Sequence, residues 1–288
     1  MTTYTVFAVC DGEQTANIIG SSIENMRPEP IGIGTFEIEN GDNKWEIGAY
    51  FQEKPNAVEL YLLELVYQIK FTVSEVPYKD WVTHVRRQLT PVLAGRFIIY
   101  GSHDENKIPI NYYKLKIEAA MAFGTGHHAT TLGCLLALND IKKFGFAVKN
   151  VADIGCGTGV LAIAAAEAFS AKVIASDIDP IAIRTTKINI QENGYYTKIM
   201  SVKASGFRHG EIIKRAPFDL IFANILARPL KSLAIDMAKN SSLNSIAILS
   251  GILKNQSFSV EQYFLANGFC RMFKKEINGW STIVLKRL

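Results

Sequence analysis

Two hydrophobic rhythms divide the chain. Up to about residue 76, short alternating stretches mix with helical ones. Tyr4–Val9 and Lys44–Phe51 read as strands, and Gln14–Asn25 reads as a helix. Gly32–Glu39 predicts a second strand that turns back at Asn40-Gly41-Asp42, a strong hairpin signal. Ala57–Gln68 sets Leu60, Leu63, Glu64 and Tyr67 at helical spacing, and Ile69–Val76 alternates Phe71, Val73 and Val76 on a strand. The order β-α-β-β-α-β is that of a ferredoxin-like module, a common binding scaffold without chemistry of its own. Pro77 opens a connecting region that runs to about residue 120. It predicts a helix over Tyr78–Leu89, then strands Arg96–Tyr100 and Tyr112–Glu118 flanking the polar loop Gly101–Lys107.

From Ala129 onward strands and helices alternate regularly. A helix over about Thr131–Phe144 precedes strands near 149–154, 172–177, 198–203, 218–223 and 244–250. Helices near 160–169, 180–193, 228–239 and 254–267 separate them. That rhythm predicts a parallel, doubly wound α/β sheet with right-handed crossovers. Arg271–Ile277 and Trp280–Leu285 flank Asn278-Gly279, so the chain ends in a hairpin and its last strand runs antiparallel to its neighbour. The chain thus divides into a small α+β domain over 1–76, a connector over 77–120 and an α/β domain over 121–288.

Charge supports that division. Residues 1–76 carry 12 acids and 4 bases, a net −8, while the remainder carries 27 bases and 15 acids, a net +12. An acidic front module is suited to a basic partner. At 48% hydrophobic and 20% charged, the composition is that of a soluble globular protein, and no apolar run approaches the roughly 18 residues of a membrane span. The N-terminus lacks the basic region of a signal peptide. Cys10, Cys134, Cys156 and Cys270 are widely spaced and form no C-x-x-C pair, which points to reduced thiols in a cytoplasmic setting rather than zinc or disulfides.

Candidate chemistry concentrates in Val151-Ala-Asp-Ile-Gly-Cys-Gly-Thr-Gly159 and Val173-Ile-Ala-Ser-Asp-Ile-Asp-Pro180. Strand, glycine turn, helix and second strand lead to Asp177, 22 positions after Gly155. Glycines let a ligand approach the backbone, and a carboxylate at the tip of the second strand can take both hydroxyls of a ribose. Gly155, Gly157 and Gly159 form G-x-G-x-G rather than the dinucleotide spacing G-x-G-x-x-G, and Asp153 stands just upstream. An acid there repels a pyrophosphate and suits the sulfonium and ammonium groups of S-adenosylmethionine. A nicotinamide dehydrogenase is therefore disfavoured. Cys156 has no histidine partner nearby and reads as a small turn residue rather than a nucleophile.

Three segments taken together carry a resemblance. They are Ala122-Phe-Gly-Thr-Gly-His-His-Ala-Thr-Thr131, the glycine cradle, and Phe218-Asp-Leu-Ile-Phe-Ala-Asn-Ile-Leu-Ala227 followed by Leu249-Ser-Gly-Ile-Leu253. The set closely resembles the bacterial methyltransferases of the large-subunit ribosomal protein L-eleven, over roughly residues 78–288. The front module is similar mainly in architecture. The resemblance implies a seven-stranded class I methyltransferase sheet and S-adenosylmethionine as cofactor. It places Thr131, with Phe123 and Gly124 of the same segment, near the methionine end. Gly155 and Gly157 fall in the cradle, Asp177 on the ribose and Asn224 facing the transferable methyl. Where many members carry Asp-Pro-Gly ahead of this segment, the chain has Glu118-Ala-Ala.

The acceptors implied are lysine side chains and the N-terminal amine of ribosomal protein L-eleven, with no direct nucleic-acid binding, membrane or metal partner. Asn224-Ile-Leu-Ala differs from the Asn-Pro-Pro-Tyr of glutamine and adenine methyltransferases, which favours an amine acceptor. Two alternatives remain: a lysine methyltransferase for another protein, or a non-catalytic S-adenosylmethionine-binding protein. Asn224 is also a favoured helix cap, and His127 and His128 have no third ligand at regular spacing.

Overall fold

The computed structural model describes residues 2–30, 32–37, 43–77, 91–117 and 129–288. The predicted turn at Asn40–Asp42 and the predicted helix over Tyr78–Leu89 lie outside these residues. The chain divides into two compact units, Met1–Val85 and Arg86–Leu288.

The first unit runs β1 (Thr2–Asp11), α1 (Glu13–Glu24), β2 (Gly32–Glu37), β3 (Lys44–Phe51), α2 (Ala57–Tyr67) and β4 (Thr72–Pro77). Its sheet has the order β2-β3-β1-β4, antiparallel throughout, which is the ferredoxin-like arrangement. Alternation decides which side chains are covered. Val6, Ala8 and Cys10 of β1 point the same way as Ile47, Ala49 and Phe51 of β3 and pack with Ala16, Ile19 and Ile23 of α1. The Asn56 side chain caps α2 by accepting from Val58 N–H (2.9 Å).

The second unit opens on a three-stranded sheet of β5 (Val92–Ala94), β6 (Phe97–Tyr100) and β7 (Tyr113–Lys116). β5 is too short to register as a periodic stretch, and the polar loop between β6 and β7 contains a 3₁₀ turn over Ser102–Lys107. This small sheet shares its core with the rest of the unit: Phe97, Ile99 and Leu115 pack in one cluster with Leu135, Leu138 and Ile163. Asn193 locks the edge, accepting from Lys116 N–H (2.9 Å) and donating to its carbonyl (2.7 Å).

Then come α3 (Ala129–Lys143), β8 (Asn150–Ile154), α4 (Val160–Phe169), β9 (Lys172–Asp177), α5 (Pro180–Glu192), β10 (Ile199–Lys203) and α6 (Gly210–Arg215). β11 (Phe218–Asn224), α7 (Ala227–Ser232), α8 (Ala234–Asn240), β12 (Ser241–Leu253), α9 (Lys254–Leu265), β13 (Phe269–Ile277) and β14 (Trp280–Arg287) complete the unit. The seven strands are ordered β10-β9-β8-β11-β12-β14-β13, parallel except for β14, which is antiparallel to both β12 and β13. Every central strand is covered on both faces. Val151, Val173, Leu220, Phe222 and Ile248 face one helical layer, while Ala152, Ile174, Ile221, Ala223 and Leu249 face the other. Burial on both faces explains the nearly unbroken apolar runs of these strands.

The helices differ from expectation at two places. The stretch expected over 228–239 is divided at Leu233, whose amide is shared between the carbonyls of Pro229 (3.2 Å) and Leu230 (3.1 Å). That tightening separates two short helices. The six-residue α6 was not expected, and the His209 ring caps it by accepting from Glu211 N–H (3.1 Å). β8 is the switch point, because the chain winds outward through β9 and β10 and then returns to β11 on the other side. Crevices outside the carboxyl ends of strands at such a point are where this architecture binds ligands.

Candidate active site

The turn after β8 is built to bring backbone close to its neighbours. Gly155, Gly157 and Gly159 all have positive φ (77°, 55° and 79°), a region that favours glycine. Gly155 and Cys156 N–H both donate to the Ser176 carbonyl (2.7 and 3.0 Å), tying the turn to the end of β9. Space is also limiting. A Cβ on Gly155 would lie 2.3 Å from Cγ2 of Ile225, and one on Gly159 would lie 2.8 Å from Cγ2 of Thr186.

Asp177 stands at the tip of β9 and braces the turn. One carboxylate oxygen accepts from Gly157 N–H and the other from Asp179 N–H, each at 3.0 Å. Each oxygen keeps a further lone pair for a ligand. Asp179 caps α5 by accepting from Ile181 N–H (2.8 Å), with Pro180 at the first helical position as its sequence predicts. Ile178, between the two acids, is exposed.

Asp153, inside β8, is buried. One of its oxygens accepts from Ala162 N–H (3.1 Å), and the other has no hydrogen-bond partner. Burial, with a contribution from the charge of Asp177, raises its pKa to about 7. Asp177, joined by Asp153 when that group ionises, thus bears on the glycine turn, a field that opposes an anion and favours a cation. Burial also pushes the Cys156 thiol well above its usual range, so it is neutral, as a small turn residue rather than a nucleophile would be.

Asn224 ends β11, next to Gly155 across the β8–β11 pair. It does not cap α7: the cap position is Leu226, with no side-chain cap bond. Instead its Nδ2 donates to Oγ1 of Thr131 on α3, at 3.4 Å, so two residues 93 positions apart meet. That assignment turns the amide oxygen of Asn224 away from Thr131. The next residue, Ile225, is confined by two glycines. Its side chain meets Gly155. Its backbone passes Gly251 (φ 80°), where a Cβ would lie 2.5 Å from the Ile225 carbonyl oxygen. Ile225 N–H donates to the Ser250 carbonyl (3.2 Å), which fastens the β11 loop to β12.

Of the residues picked out in the sequence, Gly155, Gly157, Asp177, Asn224 and Thr131 belong to this end of the sheet. Phe123, Gly124, His127 and His128 lie outside the described residues. Two others were not foreseen. Thr186 donates to the Gly157 carbonyl (2.9 Å), and Asn189 donates through Nδ2 to that of Thr158 (2.8 Å), so α5 clasps the turn from beneath. The signal was present: both are polar residues on the buried stripe of α5, beside Ala182, Ile183 and Ile190. Among the described residues no group of His, Cys, Asp and Glu could hold a metal ion, and no helix is long and apolar enough to cross a membrane.

Comparison with known proteins shows the family. A family model described as Ribosomal protein L11 methyltransferase (PrmA) matches residues 15–288. The chain is 41% identical over 259 residues to a protein of that name from Bradyrhizobium diazoefficiens, covering 87% of this chain and 86% of the relative. A second, from Rhizobium meliloti, is 35% identical over 287 residues and is matched over 98% of both. Among solved structures, the ribosomal protein L11 methylase of Lactobacillus delbrueckii subsp. bulgaricus superposes with a TM-score of 0.61 at 27% identity, covering 69% of this chain and 99% of that one. Glycine turn, paired acids and strand-end asparagine accordingly stand in a member of the ribosomal protein L11 methyltransferase family.

Proposed function

We propose that this chain is a cytoplasmic enzyme that transfers methyl groups from S-adenosylmethionine to amino groups of ribosomal protein L11, namely lysine side chains and the N-terminal amine. Supporting this most directly is the convergence of Gly155, Asp177 and Asn224 at the carboxyl ends of three neighbouring strands, with Thr131 against Asn224.

The residues suit such a donor. A glycine turn without Cβ atoms gives a ligand close access, and the buried Asp153 with its unpartnered oxygen, beside Asp177, favours a positive charge. Asp177, Gly155 and Gly157 would hold the nucleoside end, with Ile178 as an apolar neighbour. Thr131, Phe123 and Gly124 would border the methionine end. Bound there, S-adenosylmethionine supplies a methyl group on a positively charged sulfur, open to in-line displacement.

The protein's own part is to present a neutral amine in line. A lysine with pKa about 10.4 costs about 4–5 kcal/mol to deprotonate at pH 7, and a desolvated position beside the donor's positively charged sulfur lowers that cost. Asn224, its Nδ2 engaged by Thr131, has its amide oxygen free to accept an N–H of the amine and so orient the nitrogen lone pair. Alignment of this kind accounts for as much as roughly 7–11 kcal/mol of a barrier. The acidic module over residues 1–76 serves as the recognition domain for the basic acceptor protein.

Mass spectrometry of purified ribosomal protein L11, after incubation with the enzyme and labelled S-adenosylmethionine, tests the assignment. Incorporation at amines that disappears in Asn224→Ala, with S-adenosylmethionine binding retained, supports it. Labelling of other proteins but not this one assigns a different acceptor, and no labelling of any protein removes the catalytic reading.

A further inference from the structure

Helix α2 is apolar on its outer face as well as its inner one. Val58, Tyr61, Leu62, Leu65 and Val66 fall at i, i+3, i+4, i+7 and i+8, a single stripe. All five are more than half exposed, from 54% for Leu62 to 69% for Val66. The two acids of the helix, Glu59 and Glu64, lie off that stripe and are tied to neighbouring groups. Glu64 is held by Phe71 N–H (2.7 Å) and by Lys70 (3.3 Å), its side chain only 16% exposed. Glu59 accepts from Arg27 N–H and from Asn56 Nδ2, both at 3.3 Å. The helix is anchored through Leu60 and capped by Asn56, so the stripe stands on a formed element.

Five adjacent large apolar side chains make a patch of the kind that marks a protein contact. Charge selects the occupant. With 12 acids and 4 bases in residues 1–76, a second copy of this module would bring a matching negative surface, and a nucleic acid would be repelled. A basic protein is attracted. We propose that the outward stripe of α2 is the docking surface for the acceptor protein, a cationic protein that covers it with apolar side chains of its own. The proposal rests on the protein-methyltransferase reading above. Apolar contact then provides the residence time and the acidic surround the rate of encounter.

The test is the double variant Leu62→Ser/Leu65→Ser in the full chain. Both side chains are exposed, so the fold is retained, which circular dichroism verifies. With purified ribosomal protein L11 as acceptor, the expected result is a KM for the protein raised tenfold or more. Turnover at saturating acceptor and affinity for S-adenosylmethionine stay unchanged, and Leu62→Met/Leu65→Met restores the wild-type KM. An unchanged KM overturns the proposal. So does sedimentation showing a wild-type dimer that the serine variant dissolves, since the stripe would then belong to a second copy. Wild-type enzyme that leaves ribosomal protein L11 unlabelled overturns the function itself, and the docking site with it, a result distinct from normal kinetics in the variant.

Discussion

Replacing Gly251 by alanine tests whether the position of Asn224 is fixed by the backbone beside it. Gly251 has φ 80°, where a side chain costs about 1–2 kcal/mol. The added Cβ would lie 2.5, 2.7 and 2.8 Å from the carbonyl oxygen, carbonyl carbon and nitrogen of Ile225. Ordinary contact begins near 3.4 Å, so the Ile225 backbone has to retreat by about 0.9 Å. Its side chain already abuts Gly155, and its N–H is bonded to Ser250, so the shift passes to Asn224, one residue back. A misplacement of about 1 Å costs on the order of 100-fold in rate. Gly279→Ala is the matched control: it has φ 77° at the tip of the β13–β14 hairpin, with nothing within 4 Å of the new Cβ. Initial rates of methyl transfer, read beside calorimetric titration of S-adenosylmethionine, should show turnover down about 100-fold in Gly251→Ala with affinity changed little. Gly279→Ala should lose only about 1–2 kcal/mol of stability. Wild-type turnover in Gly251→Ala, or an equal loss in both, would refute the reasoning.

Other expectations rest on the same contacts. Asp153 has its pKa raised to about 7, so its folded form holds a proton that the unfolded chain releases near pH 4. Its contribution to stability therefore declines as pH rises from about 4 to 7 and is level above that, a loss on the order of a few kcal/mol. Melting curves of Asp153→Asn against wild type should diverge in favour of the variant across that window, and a constant difference would contradict the assignment. Because a cation favours the ionised carboxylate, S-adenosylmethionine should bind more tightly as pH rises through about 7, with proton release. Calorimetry in two buffers of unlike ionisation enthalpy reads that release, and buffer-independent heats would speak against it. Thr186→Val removes the bond to the Gly157 carbonyl and should cost about 1–2 kcal/mol, visible in urea unfolding. An unchanged midpoint there would mean that α5 does not brace the turn.

Much of this structure was legible in the chain because local and tertiary demands agree. The central strands read clearly, since burial on both faces makes them continuous apolar runs, and the terminal hairpin was announced by Asn278-Gly279. Gly155 and Asp177 could be placed because strand, turn and helix fix them within one βαβ unit. Asn224 could be placed at a strand end, but its meeting with Thr131 could not, because that contact joins elements 93 residues apart through the packing of α3 on the sheet. Gly251 read as part of a motif, while its reason, the passage of Ile225 over it, appears only in three dimensions. The short α6 and β5 fall below the length at which periodicity can speak. The exposed stripe of α2 was hidden for the opposite reason. Leu60, Leu63, Glu64 and Tyr67 satisfied the expected inner face, and the apolar residues left over looked like part of the same core.

Methyl transfer by this chain requires above all that the glycine turn and its acids hold a cationic methyl donor. Calorimetric titration of the wild-type protein and of Asp177→Ala with S-adenosylmethionine measures this directly. Saturable one-to-one binding by the wild type, weakened at least tenfold in the variant, is the predicted result. Absence of binding to well-folded wild-type protein, or equal affinity in the two, would contradict it.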